Sequence, residues 1–382
     1  MAPTSSAWGS VSCGSYAEPE EEAMVKQNGR AWSVLLFVLF GFTAHAQLTD
    51  KVHKLLFEDS LAPAKYDSSY VLRFRNSLVV SGVVYNQNFG VDIEDKQGGS
   101  LSYSTNSAVQ YGFAVDLNWF SVEATFAAPK LDPVDPAKGV SESRTFGLGA
   151  TGRHLWMRAI WNTSKGFYAE DPLKVDSTWV PGDPYPTRSD LESSTFMATA
   201  NYGFNKRHRF SQKAATSQIE RQRRSAGTAV VGGSFWYSRI TAEGSVVPEY
   251  QAVNYAADVQ FDRLQRYILA VKAGYTHTFT FWGKGYINLL LLPGLGVQRI
   301  AIRPVGTTEQ SSDWVGCSVN EFRAGLGYNG SKWYAGLTLA SYVNSGDVTE
   351  EVRLGTSYTT VRFAVGIRFR SPQSGFMRRV GL

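Results

Sequence analysis

The four histidines after residue 47, His53, His154, His208 and His277, are the side chains best suited to move a proton or hold a metal near neutral pH. No two of them have the spacing of paired ligands such as H-x-x-x-H. Cys317 has no cysteine or histidine nearby, so neither a metal site nor a cofactor is expected. His277 lies in "YTHTFTF" with the parity of Tyr275 and Phe279. It reads either as a ring in an interfacial aromatic belt or as the base of a lipid hydrolase on a barrel wall. No Gly-x-Ser-x-Gly follows residue 47 and no serine lies two residues from a histidine, which leaves the hydrolase reading without a nucleophile in the local sequence.

Charged residues on the small-residue face of alternating segments form a second candidate set. They are Asp116, Glu123, Arg153, Lys272, Glu321, Arg323, Arg362 and Arg368. Such residues could line a selective pore, bind a polar ligand, or form a salt-bridged network filling a barrel interior. A third set is the basic stretch "NKRHRFSQKAATSQIERQRRSAG". It holds Lys206, Arg207, Arg209, Lys213, Arg221, Arg223 and Arg224 against the single Glu220. In isolation it has the composition of an arm for nucleic acid or anionic lipid.

The N-terminal region decides among these chemistries by compartment. From Met24, Lys26 and Arg30 precede the apolar run 31–42 and the small-x-small site Ala44-His45-Ala46. This is the pattern of a Sec-type signal peptide (24–46) cleaved near Ala46-Gln47, with an apolar core too short to span a bilayer. Residues 1–23 end in an acidic run, Glu18 to Glu22, and are expected to be a misassigned upstream segment. Residues 1–46 hold two basic and four acidic residues, so the remainder carries 36 basic against 29 acidic. The basic stretch accounts for nearly all of that excess, whereas a nucleic-acid binder spreads its charge over a face. No nucleic-acid partner is expected.

The elements positioning these residues are strands. In "QYGFAVDLNW", Tyr111, Phe113, Val115, Leu117 and Trp119 alternate with Gln110, Gly112, Ala114, Asp116 and Asn118. In "RFAVGIRF", Phe363, Val365, Ile367 and Phe369 alternate with Arg362, Ala364, Gly366 and Arg368. One face is apolar and aromatic and the other small and polar, the inversion expected of a transmembrane antiparallel β-barrel. The longest apolar run, "INLLLLPGLGV", is interrupted by Pro293, Gly294 and Gly296 and is no membrane helix.

Short turns at 117–120, 153–156, 282–285 and 329–332 alternate with long Pro-, Asp- and Gly-rich loops. Placing the short turns in the periplasm gives about twelve strands near 77–91, 101–118, 119–129, 142–154, 155–169, 190–205, 226–241, 262–281, 284–303, 315–328, 331–344 and 353–369. The count requires residues 205–226 to be a periplasmic-side excursion within the barrel domain 76–370. Made into a strand, and compensated near 252–261, they would give fourteen. Ahead of the barrel, residues 47–75 form a periplasmic N-terminal segment, in which "LTDKVHKLLFEDS" is either a helix or disordered leader. Residues 371–382 form a C-terminal tail.

"YDSSYVLRF", "WFSVEATFAAPK", "KGFYAED" and "NYGFNKRHRFSQKAATSQIERQRRSAGTAVVGGSFWYSRI" resemble a family of uncharacterised outer-membrane barrels, domain-of-unknown-function family 4421, found in Bacteroidetes-type bacteria. The most specific match is Asn205, Phe210-Ser211, Gln222 and Ser225-Ala226-Gly227. The resemblance implies fold and location and brings no activity. The expected protein is a monomer in outer-membrane lipid of a Gram-negative cell, with a structural or transport-type role as a narrow pore or ligand port. The alternatives are a membrane-embedded enzyme modifying lipid or lipopolysaccharide, and a barrel that recruits an envelope partner.

Overall fold

The computed structural model describes residues 67–74, 77–95, 99–127, 134–248, 255, 259–311 and 313–370. The upstream segment, the signal peptide, the "LTDKVHKLLFEDS" stretch and the C-terminal tail lie outside them.

Sixteen strands are described: β1 (Val71–Arg73), β2 (Ser77–Asp95), β3 (Ser100–Ser104), β4 (Gln110–Leu117), β5 (Phe120–Ala127), β6 (Glu142–Thr151), β7 (Leu155–Ala169), β8 (Thr187–Gly203), β9 (Glu220–Gln222), β10 (Ala226–Thr241), β11 (Phe261–Phe281), β12 (Gly285–Pro304), β13 (Gln310–Ser311), β14 (Val315–Asn329), β15 (Trp333–Asp347) and β16 (Val352–Arg370). Twelve of them pair antiparallel in the order β2, β4, β5, β6, β7, β8, β10, β11, β12, β14, β15, β16. The ring closes where β16 returns to β2, in register from Val352↔Asp95 to Arg370↔Ser77. Closure leaves none of these twelve with an unpaired edge, the condition for strands to cross lipid.

Side-chain alternation turns the ring inside out relative to a soluble fold. Along β11, Tyr267, Leu269, Val271, Tyr275 and Phe279 are exposed, while Ile268, Lys272, Thr276 and Thr278 are buried. On β16, Val361, Phe363, Val365, Ile367 and Phe369 form the outer row. β12 runs straight through Pro293. Its ladder to β11 lapses opposite Ala273 and Gly274, while pairing with β14 continues as Pro293↔Asn320. Proline has no amide hydrogen to give a ladder, and the lapse falls where that donor is missing.

The short connections gather at one end of the barrel. Asn118 (φ 50°) turns β4 into β5, and Trp282 (φ 49°) with Gly283 (φ 70°) turns β11 into β12. Two sequence expectations need correction. The predicted strand 101–118 is broken into β3 and β4, because Thr105 accepts the Phe89 amide and Asn106 bonds the Ser141 hydroxyl and the Asp135 and Gly139 carbonyls. β3 then bridges from β2 to β7, above the short β4, β5 and β6. The fourteen-strand alternative also fails in its first requirement. Residues 206–225 contain only a four-residue helix, α1 (Gln212–Ala215), and β9. Most of 252–261 lies outside the described residues.

At the long-loop end, described residues between β10 and β11 lie inward. Val246, Val247 and Val259 are buried with Trp236, Phe261 and Ile268. Tyr103 donates to the Val246 carbonyl at 2.9 Å, and Arg188, bidentate on Asp190, donates to the Ser245 and Val246 carbonyls.

If the short turns face the periplasm, Asp183→Cys should react with an impermeant maleimide on intact cells and Lys206→Cys should not. Both positions are exposed, and the native Cys317 is buried and gives no background. The reverse labelling would invert the topology.

Candidate functional site

The site grows from a hydrogen-bonded knot that the local sequence makes by itself. The Asn205 side-chain carbonyl accepts the Arg209 and Phe210 amides, and its amide group donates to the Phe210 carbonyl. Ser211 caps α1 by accepting the Ala214 amide, and its hydroxyl donates to Glu220. Gln222 accepts the Ser211 amide and donates to the Arg209 and Arg224 carbonyls. Ser225 accepts the Thr280 amide at 3.0 Å, anchoring the exit to β11. Gly227 lies where a Cβ would strike the His277 ring at 2.5 Å, so only glycine lets β10 pass that ring. The motif Asn205, Phe210-Ser211, Gln222, Ser225-Ala226-Gly227 thus builds and anchors one compact insert.

The segment before the barrel clamps this insert. β1 pairs antiparallel with β9, from Val71↔Gln222 to Arg73↔Glu220. Tyr70 lies under the guanidiniums of Arg209 and Arg224, at 4.6 and 5.7 Å, and Phe74 under those of Arg368 and Arg221, at 4.1 and 5.9 Å. Stacking on rings is an established use of arginine. The Ser69 hydroxyl and amide, with Arg209 adding attraction, hold the Asp67 carboxyl below the usual range. Much of the basic stretch is therefore internal glue. Lys206, Arg207, Arg223 and Arg224 remain exposed, while Lys213 is only 1% exposed.

The clamped insert enters the barrel. Gln218 (φ 57°) donates to the Tyr286 hydroxyl at 2.8 Å and accepts from Asn329 at 2.5 Å. Arg368 donates to the Gln218 carbonyl twice, at 2.6 and 3.1 Å, and to Asn329 and the Gly330 carbonyl. Lys213 reaches Asn118 at 3.4 Å. Ile219 packs with Val79, Val83, Ala114, Tyr334 and Ala364 on the inner wall. The excursion between β8 and β10 is thus lodged inside the mouth of the barrel.

Beyond the insert lies a belt of charge. Lys272 and Glu321 pair at 2.6 Å, Arg323 joins Glu321 at 3.3 Å, and Arg362 pairs with Glu123 at 2.6 Å. Asp116 accepts the Ser121 hydroxyl at 2.5 Å. Arg368 belongs to the insert's dock. Arg153 lies in the turn between β6 and β7, apart from these pairs. The structure adds Arg158, which lines the same space, and Arg266, fully buried and bonded to Gln298 and Asn344. Both were missed because Trp156 and Ile160 flank Arg158, and Leu264 and Ile268 flank Arg266, so their inward faces read as apolar. His277 points outward, its ring 4.3 Å from Phe279 and 6.1 Å from Tyr275.

A closed antiparallel ring, apolar outside and polar within, is the fold of outer-membrane β-barrels. The chain belongs to the domain-of-unknown-function family DUF4421, whose model matches residues 65–369. That match takes in both the clamp and the insert. Among solved structures, the chain is similar to the outer membrane protease OmpT from Escherichia coli, at 9% identity and TM-score 0.37, covering 81% of this chain and 100% of that one. It is also similar to the β domain of the Bordetella autotransporter BrkA, at 8% identity and TM-score 0.31, covering 74% and 98%. A third is Neisserial surface protein A, at 10% identity and TM-score 0.21, covering 77% and 97%. None of these likenesses bears on activity, and no curated protein matches the chain.

Hydrogen bonds to a charged group are each worth about 1.5–3 kcal/mol. Arg368→Ala removes several such bonds from the insert's dock, so the undocked population should rise about tenfold or more. On purified protein, Lys213→Cys should react slowly with maleimide in the otherwise native chain and at least about tenfold faster when combined with Arg368→Ala. Equal rates would show that Arg368 does not hold the insert.

Proposed function

We propose that this chain is a ligand port of the outer membrane, exported by the signal peptide at 24–46 and held shut by its own insert. The observation that carries the reading is the docking of Gln218 between Tyr286, Asn329 and Arg368. A segment placed only to fill a core would be held by apolar contacts. This one is held mainly by directional polar bonds, which water can replace when the segment withdraws. With the short turns in the periplasm, the insert faces that compartment, and its exposed Lys206 and Arg207 are available to a periplasmic partner or to lipid headgroups. A monomer fits this reading, since the twelve strands close on one chain and the ring needs no strand from a second copy.

Conductance in planar bilayers tests the reading. The native chain should keep the membrane nearly sealed, and Arg368→Ala combined with Asn329→Ala should raise the open probability several-fold. A steady open channel in the native chain would remove the gate. An equally sealed double variant would leave the barrel a structural element of the envelope.

A further inference from the structure

Between the docked insert and the wall formed by β4, β5, β6 and β7 lies a cavity of about 130 Å³. It is built into the strands, since Gly147 faces it and a Cβ there would have nothing within 4 Å. A larger side chain at position 147 would extend into this space.

The lining carries three guanidiniums, Arg158, Arg323 and Arg362, against two carboxylates, Asp116 and Glu123. Glu123 is committed to Arg362, and Asp116 accepts the Ser121 hydroxyl. Just behind, Lys272 and Glu321 cancel each other. One positive charge is left over, and Arg158 makes no ion pair among the described residues.

Polar groups without partners surround the same space. Gln212 of α1, at 1% exposure, leaves both the nitrogen and the oxygen of its side-chain amide unbonded. Arg323 Nε and Trp156 Nε1 are also unbonded. Three of these four groups are donors, and buried donors without acceptors are costly. A surplus cation beside unsatisfied donors is the complement of an acceptor-only, negatively charged group.

We propose that this cavity binds a compact oxyanion, a small carboxylate or a phosphate, between the Arg158 guanidinium and the Gln212 amide of the docked insert. The guanidinium supplies a planar pair of donors suited to either anion, and Gln212 adds a donor that is present only while the insert is seated. The anion therefore links lumen and gate, as the class of cargo or effector of the port. The inference rests on the closed-port reading through Gln212.

Isothermal titration of the purified full-length protein in detergent, at fixed ionic strength, tests it with succinate, inorganic phosphate and, as a cation control, ethylammonium. Saturable one-to-one binding of succinate or phosphate is expected, with the tighter of the two naming the source and ethylammonium giving no heat. Arg158→Gln and, separately, Gly147→Leu should each weaken binding about tenfold or more, and Arg158→Lys should retain part of it. Gly147→Leu leaves every charge in place, so it keeps the test valid if Arg158→Gln fails to fold. Absence of saturable binding, or binding unchanged in Gly147→Leu, overturns the proposal. Binding together with unaltered conductance in the Arg368→Ala, Asn329→Ala variant would instead refute the gate and leave the anion site standing.

Discussion

Lipid offers a backbone amide no hydrogen-bond partner, so the whole molecule depends on a ladder that closes. The pairing of β16 with β2 over Ser77–Asp95 is where that happens, and it joins the two ends of the barrel sequence. Every other feature is arranged around this constraint. Outward positions must be apolar or aromatic, so polar and charged residues have only the lumen and the loops to occupy. Because side chains alternate strictly, each strand delivers a polar row to the inside whether or not that row has a task.

Twelve strands set the second condition. Eight-stranded barrels are narrow enough for wall side chains to fill, whereas those of sixteen or more leave a water channel. A ring of intermediate size encloses more space than its own inward residues can occupy. The chain meets this by sending segments inside from both ends. At one end are Val246, Val247 and Val259, and at the other are Lys213, Gln218 and Ile219. Between them the ion pairs of Glu321 and Glu123 satisfy charges that would otherwise stand unpaired in a region of low dielectric.

This geometry also explains what could be read from the sequence. The short turns, the two-residue alternation of "QYGFAVDLNW" and "RFAVGIRF", and the parity of Asp116, Glu123, Lys272 and Glu321 come from local rules, and they locate strands and lumen faces directly. Arg158 and Arg266 escaped because the inward positions around them are apolar. Leu264, Ile268, Leu290 and Leu292 all face inward, which erases the contrast between faces. The break between β3 and β4 depends on Asn106 reaching residues about thirty positions away, which no periodicity records. The basic stretch misled in another way. Its charge density suggested a surface for an external partner, yet Arg209, Arg221 and Arg224 lie on Tyr70 and Phe74 of the same chain.

The two closures differ in chemistry, and that difference assigns their roles. Of the chain between β10 and β11, Val246, Val247 and Val259 belong to a large apolar cluster that includes Trp236, Phe89 and Tyr342. Withdrawing it would expose that surface to water, which the hydrophobic effect opposes in proportion to the area uncovered. The insert at the short-turn end contributes Ile219 to a much smaller cluster and is held to the wall mainly by polar groups: side-chain amides, the Tyr286 phenol, the guanidiniums of Arg368 and Arg221, and the Lys213 ammonium. Water can take the place of the insert on each of those groups, so withdrawal leaves none of them unsatisfied. The hydrogen bonds of Asn205, Ser211 and Gln222 lie within the insert and its clamp, so withdrawal need not break them. In the proposed port the insert would move as a folded unit with β1 attached, giving up the stacking of Arg368 on Phe74. In the proposed port the apolar closure is therefore the fixed end and the polar one the end that opens.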